Sequence, residues 1–196
     1  MSETHGFARL LGAGRMRRGY ARALSGEGVV AITEITDGMA LVASTGAQVD
    51  PGVYWILAVA QVVVGQRAEA LETVGRALAL ATQTGQRFND AAFWTLRGWL
   101  LLKADHRPAE EAEALFHRAL EIARNQQARC QELYAAMCLA RLRRVQGKLA
   151  EGRAILEPVY GLRRKARASL CRLRWQVASE STDDEEESCI DPMPLF

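Results

Sequence analysis

The stretch EAEALFHRALEIARNQQAR (residues 111–129) places Leu115, Phe116, Ala119, Leu120, Ile122 and Ala123 along one stripe, with charged residues opposite. That spacing is the signature of an amphipathic helix. Nothing in the stretch looks like chemistry, so its apolar edge has to be explained by what covers it. Its neighbours in the chain are copies of the same pattern. Ala70-Leu71 is followed seven residues later by Ala77-Leu78. Thirty-nine residues back stand Ala31-Ile32 and Gly38-Met39, and forty-two residues forward stand Ala112-Glu113 and Ala119-Leu120. A weaker fourth copy has Gly152 in the Ala70 place, with Ile155-Leu156 close by.

The punctuation repeats as well. ASTGAQ (43–48), TQTGQR (82–87) and RNQQAR (124–129) are polar runs suited to ending helices, with Gly46 and Gly85 as candidate C-caps. SGEG (25–28), VGQR (64–67), ADHRP (104–108) and QGK (146–148) occupy the turn of each unit, and Pro108 suits a first helical turn. Between turn and cap lies a second apolar helix. MRRGYARAL (16–24) and TLRGWLLLK (95–103) share Arg-Gly-aromatic, and Ala58 and Ala140 correspond to Gly19 and Gly98. Small residues there let two helices approach closely, and Ala77 or Ala119 is expected as the facing half of the contact.

The chain therefore reads as all-α, about four helix pairs of roughly 40 residues, in the range of helical solenoids. The expected helices are 4–24, 27–45, 51–64, 67–84, 89–104, 108–127, 129–146 and 148–160. GVVAITEIT (28–36) is rich in β-branched residues, and its place in the repeat is the reason to read it as helix. The organisation is a repeat domain over 4–161, a basic segment over 162–178 that could form a helix, and an acidic tail over 179–196 read as disordered.

Composition adds bounds. The 196 residues are 49% hydrophobic and 24% charged with a formal net charge of +2, an ordinary globular balance that argues against nucleic acid. Six Lys/Arg fall between Arg163 and Arg174, and six acids between Glu180 and Glu187. Such a pair of segments could meet an anionic surface, dock a partner or neutralise itself. Four scattered cysteines, Cys130, Cys138, Cys171 and Cys189, form no CxxC pair and fit a reducing cytoplasm. Cys130 and Cys138 are eight apart, roughly one helical face, and read as ordinary helix residues. The N-terminus lacks a signal-peptide pattern, and YWILAVAQVVVG (54–65) is too short for a membrane span.

The small residue in each first helix, the glycine at the turn and the Ala…Ala-Leu of the second helix resemble tetratricopeptide repeats (TPRs). The stretches 5–24, 72–102 and 114–161 are, more narrowly, similar to the C-terminal TPR region of large bacterial signalling ATPases, which often carry an adenylate or guanylate cyclase domain or a DNA-binding domain. The resemblance implies a right-handed solenoid over residues 5–161 whose first helices line a concave surface. It departs after Gly161. Where family members continue to a loop and a capping helix, this chain has LRRKARASLCRLRWQ (162–176) and then acids. The chain has neither cyclase nor ATPase domain. The expectation is a truncated relative, with a frame change after Gly161 as one origin.

Candidate chemistry is sparse. Gly12-x-Gly14 lacks the strand and further glycines of a dinucleotide site, and Gly147-Lys148 lacks the rest of a P-loop. His5, His106 and His117 are far apart in the repeat scheme, with His117 expected on a polar face; a catalytic or metal-binding histidine would need a matching acid, Cys or Ser in reach. Glu110, Glu111 and Glu113 open a helix, where the dipole favours negative charge. No catalytic residue, cofactor or metal is expected. The reading is a non-catalytic module that binds a peptide or helix in a groove; the alternative is a regulatory fragment of a cyclase or ATPase signalling or transcription-regulating protein. Trp55, Val59, Val62, Thr95, Trp99, Met137, Arg141 and Arg144 are the candidate partner-binding residues. Tryptophans also fill helix interfaces, and the arginines could equally be solvated. Lys and Asn places of a carboxylate-clamping TPR variant are not matched, since Asn89 and Asn125 fall at helix ends. Partners are expected to be proteins, this chain included, through uncapped solenoid ends.

Overall fold

A computed structural model describes residues 2–104 and 109–165, with side chains from 7 to 104 and from 109 to 159. The basic segment from 166 onward, the acidic tail and the turn residues 105–108 lie outside the described residues. Among the described residues the chain is all helical: α1 (Ser2–Leu24), α2 (Gly28–Ala43), α3 (Pro51–Val63), α4 (Arg67–Thr84), α5 (Asp90–Leu102), α6 (Ala109–Asn125), α7 (Arg129–Val145) and α8 (Leu149–Lys165). Expected and observed bounds agree to within two residues at most ends. The main departure is α8, which runs past residue 160 and through Pro158 to Lys165.

Each helix packs on the next, most extensively within the pairs α1–α2, α3–α4, α5–α6 and α7–α8. In addition α1 packs on α3 and α5 on α7, while α3 and α5 make no comparable contact. The β-branched α2 is helical because Ala31, Ile35, Gly38 and Val42 recur at helical spacing on its buried face. Its Thr33 and Thr36 hydroxyls donate back to the carbonyls of Val29 and Ile32 at 3.2 and 3.0 Å. At the start of α3, the Asp50 carboxylate accepts from the Gly52 N–H at 2.6 Å, and Pro51 takes the first helical position.

One turn geometry occurs four times. Gly26, Gly65 and Gly147 have φ of +89°, +83° and +74°, and Gln127 has φ +54° at the corresponding place between α6 and α7. In each turn the following N–H reaches the carbonyl five residues back: Glu27 to Arg22, Gln66 to Gln61, Ala128 to Ala123 and Lys148 to Arg143. This closes the helix in a Schellman arrangement. Gly85 caps α4 at φ +73°; Gly46 is also left-handed but lies beyond the α2 cap, Ser44.

The small-residue crossings are real, but their partners differ from the expectation. A Cβ on Gly19 would meet Ile35 Cγ1 at 2.7 Å and the Ala31 carbonyl at 2.8 Å. One on Gly98 would meet Phe116 Cε1 at 2.7 Å and the Ala112 carbonyl at 3.2 Å, and one on Gly152 would meet the Ala140 carbonyl at 3.1 Å. The facing residues are thus Ala31, Ala112 and Gly152, two turns earlier in the second helix than Ala77 and Ala119. Those two alanines are buried elsewhere in the core. α1 and α2 cross a second time at Gly12 and Gly38, where a Cβ on either would lie 2.7 Å from the other's carbonyl oxygen. One continuous core joins α3 to α8 around Phe93, Phe116 and Leu139, and a smaller cluster of Ala23, Ala31, Ile35, Leu57 and Ala60 joins α1, α2 and α3.

Candidate functional site

The candidate residues lie on three helices in one register. Trp55, Val59 and Val62 of α3 match Thr95, Trp99 and Leu102 of α5, Met137, Arg141 and Arg144 of α7, and Met16, Tyr20 and Ala23 of α1. Part of this stripe is where alternate helices meet. The Tyr20 and Trp55 rings lie 5.9 Å apart at 52°, and burial between them pushes the Tyr20 phenol up from its ordinary pKa.

That packing corrects three assignments. Val59, Thr95 and Trp99 are buried and present no surface to a partner. The Thr95 hydroxyl donates to the Ala91 carbonyl at 2.8 Å, and the Lys103 ammonium lies 6.0 Å from the Trp99 ring. The candidate surface narrows to Trp55, Val62, Met137, Arg141 and Arg144, all half-exposed. Trp55 and Val62 lie on α3, and Met137 lies on α7 with Arg141 and Arg144. They offer no acid, base or nucleophile in a working geometry.

Three ionic clusters escaped the sequence reading. Glu132 is buried at the start of α7, and its carboxylate accepts from Arg124 Nε at 3.0 Å and Arg129 Nη1 at 2.9 Å. Burial raises its pKa, but the two arginine hydrogen bonds outweigh that and hold the carboxyl below its ordinary range. Glu113 accepts from both Arg143 Nη1, at 3.0 Å, and Arg143 Nη2, while Glu151 Oε2 lies 3.2 Å from Arg143 Nε, so one guanidinium joins α6, α7 and α8. Besides the dipole, Glu113 thus has a specific partner thirty residues away. On α1, Arg18 donates to Glu34 of α2 at 3.1 Å; that bond, with the charges of Arg18, Arg22 and Arg15, keeps Glu34 ionised to lower pH. Separately, Arg118 of α6 lies 3.9 Å and Arg97 5.6 Å from the Trp94 ring.

Between α4 and α5, Gly85–Phe88 and the α6–α7 turn enclose a shallow open cleft. Gln126 Nε2 donates to the Arg87 carbonyl at 2.8 Å and Gln131 Nε2 to the Phe88 carbonyl at 3.2 Å, clasping loop to turn.

The remaining motifs take structural places. Gly12 serves the α1–α2 crossing, and Gly147 serves a turn. His117 is exposed, 3.7 Å from Glu113; the His5 and His106 side chains lie outside the described residues. Cys130 at the start of α7 is exposed and Cys138 in its middle is buried, and burial pushes the Cys138 thiol up to about 11. Among the described residues no group of three His, Cys, Asp or Glu could hold a metal ion, and no helix is long and apolar enough to cross a membrane. Comparison of the chain with protein-family models, with curated proteins and with solved structures finds no match.

Proposed function

We propose that the four helix pairs form a TPR-like solenoid that acts as a non-catalytic interaction module, binding an extended peptide or a partner helix over the surface left on α3 and α7. The observation that carries this reading is the recurrence of one packing scheme. Each helix packs on the next, α1 also touches α3 and α5 touches α7, and the pairs α1–α2, α5–α6 and α7–α8 cross at a residue lacking side-chain bulk. Units built this way add surface strip by strip, so affinity comes from contact spread over several helices. The half-exposed Trp55, Val62 and Met137 supply apolar contact, and Arg141 and Arg144 supply charge. The resemblance to the C-terminal region of bacterial signalling ATPases supports a regulatory setting for the module.

The test is selection of displayed peptides on the full chain, followed by titration against the Val62→Glu/Met137→Glu variant. Both substitutions are at half-exposed positions, and circular dichroism checks that helix content is retained. Selected peptides are expected to lose at least about tenfold in affinity, the weight of one or two desolvated contacts. Peptides that bind the variant equally well, or a selection that returns none, would sink the reading.

A further inference from the structure

The solvent side of α1 carries a seam. Phe7, Leu10, Gly14, Arg17, Ala21 and Leu24 follow one another at alternating steps of three and four, the spacing at which two helices pack along their length. All six are exposed, Phe7 at 72%, Leu10 at 69% and Leu24 at 43%. The residues that seat α1 on its own chain, Gly12, Met16, Gly19 and Ala23, are buried on the opposite side of the helix. A partner helix laid on the seam therefore approaches from the side away from that core.

The spacing is symmetric about the midpoint between Arg15 and Met16. Turned end for end, a second copy of α1 brings its Leu24 to Phe7, its Ala21 to Leu10 and its Arg17 to Gly14. Each contact then occurs twice, as a two-fold interface requires. The sizes fit as well. Two large apolar side chains meet at each end, and Leu10 meets a methyl group. Gly14 has open space where a Cβ would stand, which is room for the methylene stem of the opposing Arg17 with its charge in solvent. Arg17 Nη1 lies 3.4 Å from the Ala13 carbonyl of its own helix, so the charged head folds back along α1. We propose that the chain forms a two-fold dimer in which α1 packs antiparallel on α1 of a second copy. A straight helix drifts about 20° per heptad from such a seam, and a crossing angle of about 20° takes up that drift.

Area and charge set the strength. From Phe7 to Leu24 the strip is about 27 Å long and about 10 Å wide. That is small beside the about 800 Å² per partner of a standard complex, so the dimer is weak and concentration-dependent. Residues 7–24 include five arginines and no acid, and of the five, Arg18 and Arg22 hold Glu34. Pairing the helices brings the two Arg17 side chains within about one helical turn of each other. Salt screens that repulsion and leaves the apolar contacts, so this dimer tightens as salt rises.

Sedimentation of the full chain tests the proposal. A monomer–dimer equilibrium is expected, with a Kd of about 10–100 µM that tightens at least about threefold between about 0.05 and 0.5 M salt. Leu10→Lys is expected to weaken the dimer at least about tenfold and Arg17→Leu to tighten it by about as much. Val29→Lys, at an exposed place on α2, is expected to leave it unchanged. Orientation is read with thiols in the full chain carrying Cys130→Ser, Cys171→Ser and Cys189→Ser. A mixture of Leu10→Cys and Ala21→Cys chains is expected to form the mixed disulfide at least about tenfold faster than Leu10→Cys chains pair with each other, since antiparallel packing holds the two copies of position 10 about 16 Å apart. A monomer at every concentration up to about 0.5 mM, a dimer indifferent to Leu10→Lys, a dimer that loosens in salt, or position-10 thiols that pair with each other as fast as with position 21 would each overturn the proposal. None of these outcomes bears on peptide binding at Val62 and Met137, so the two readings fail separately.

Discussion

Gln127 sits at φ +54° in a turn whose three counterparts carry glycine. A left-handed conformation costs a residue with a Cβ about 1–2 kcal/mol, so Gln127→Gly is expected to stabilise the chain by about 1 kcal/mol once the extra freedom of glycine in the unfolded state is counted. The check is a higher urea midpoint with unchanged slope. Five residues further on, Glu132 gives the opposite lesson. Its folded pKa is depressed, so it contributes stability above the ordinary carboxylate range, and that contribution is lost as pH falls through the lowered value. Glu34 adds to the same trend. Glu132→Gln is expected to cost about 1–3 kcal/mol at neutral pH, the range for hydrogen bonds to a charged group. It should also flatten the stability profile below about pH 4, as read by thermal melts across pH. Neither residue stood out in the sequence. A glutamine in a polar run carries no sign of left-handed geometry, and Glu132 has its arginines on both sides of a turn whose shape had to be known first.

At the scale of the helices, spacing was highly legible. Apolar period, turn glycines and repeat register placed eight helices with small errors at their ends, β-branched α2 included. The rotation of each helix about its axis was less so. Val59, Thr95 and Trp99 fall on the stripe that a groove would use, and they are buried because α1 leans on α3 and α5 on α7. A rotation of a fraction of a turn separates an exposed residue from a buried one, and a single repeat pattern does not resolve it. The crossings make a sharper statement. At Gly98 a Cβ would press on the Phe116 ring at 2.7 Å. Gly98→Ala is therefore expected to destabilise by about 1–3 kcal/mol, despite alanine's better helix propensity. Phe116→Leu in that background should recover part of the loss if the ring is the obstacle. Denaturation of the two single variants and the double variant measures the coupling. Phe116→Ala alone, removing a fully buried ring, is expected to cost about 3–5 kcal/mol.

For the whole molecule, the cores are unequal. The cluster that joins α1, α2 and α3 consists of alanines with Ile35 and Leu57, whereas α5, α6 and α7 share large buried residues. Native-state openings start where buried apolar packing is thinnest. Backbone amides of α2 are accordingly expected to exchange through openings of lower free energy than those of α6, and native-state hydrogen exchange reads the difference directly. The expected association through open ends also takes a more particular form. At the place where α3 presents Leu57 to α2, α1 presents Arg18, which is paired with Glu34. Charge covers that place, and the exposed apolar residues of the first pair are Phe7, Leu10, Leu11 and Leu24 on α1 with Val29 and Val30 on α2.

The lack of a brace between α3 and α5 like those of α1 on α3 and α5 on α7 has a mechanical meaning. The two halves meet instead through α4 on α5, through loop 85–88 clasped by Gln126 and Gln131, and through the core that runs unbroken from α3 to α8. Under tension between its ends, the middle should hold for as long as that shared core stays closed, and the thinner cluster of α1, α2 and α3 should give way first.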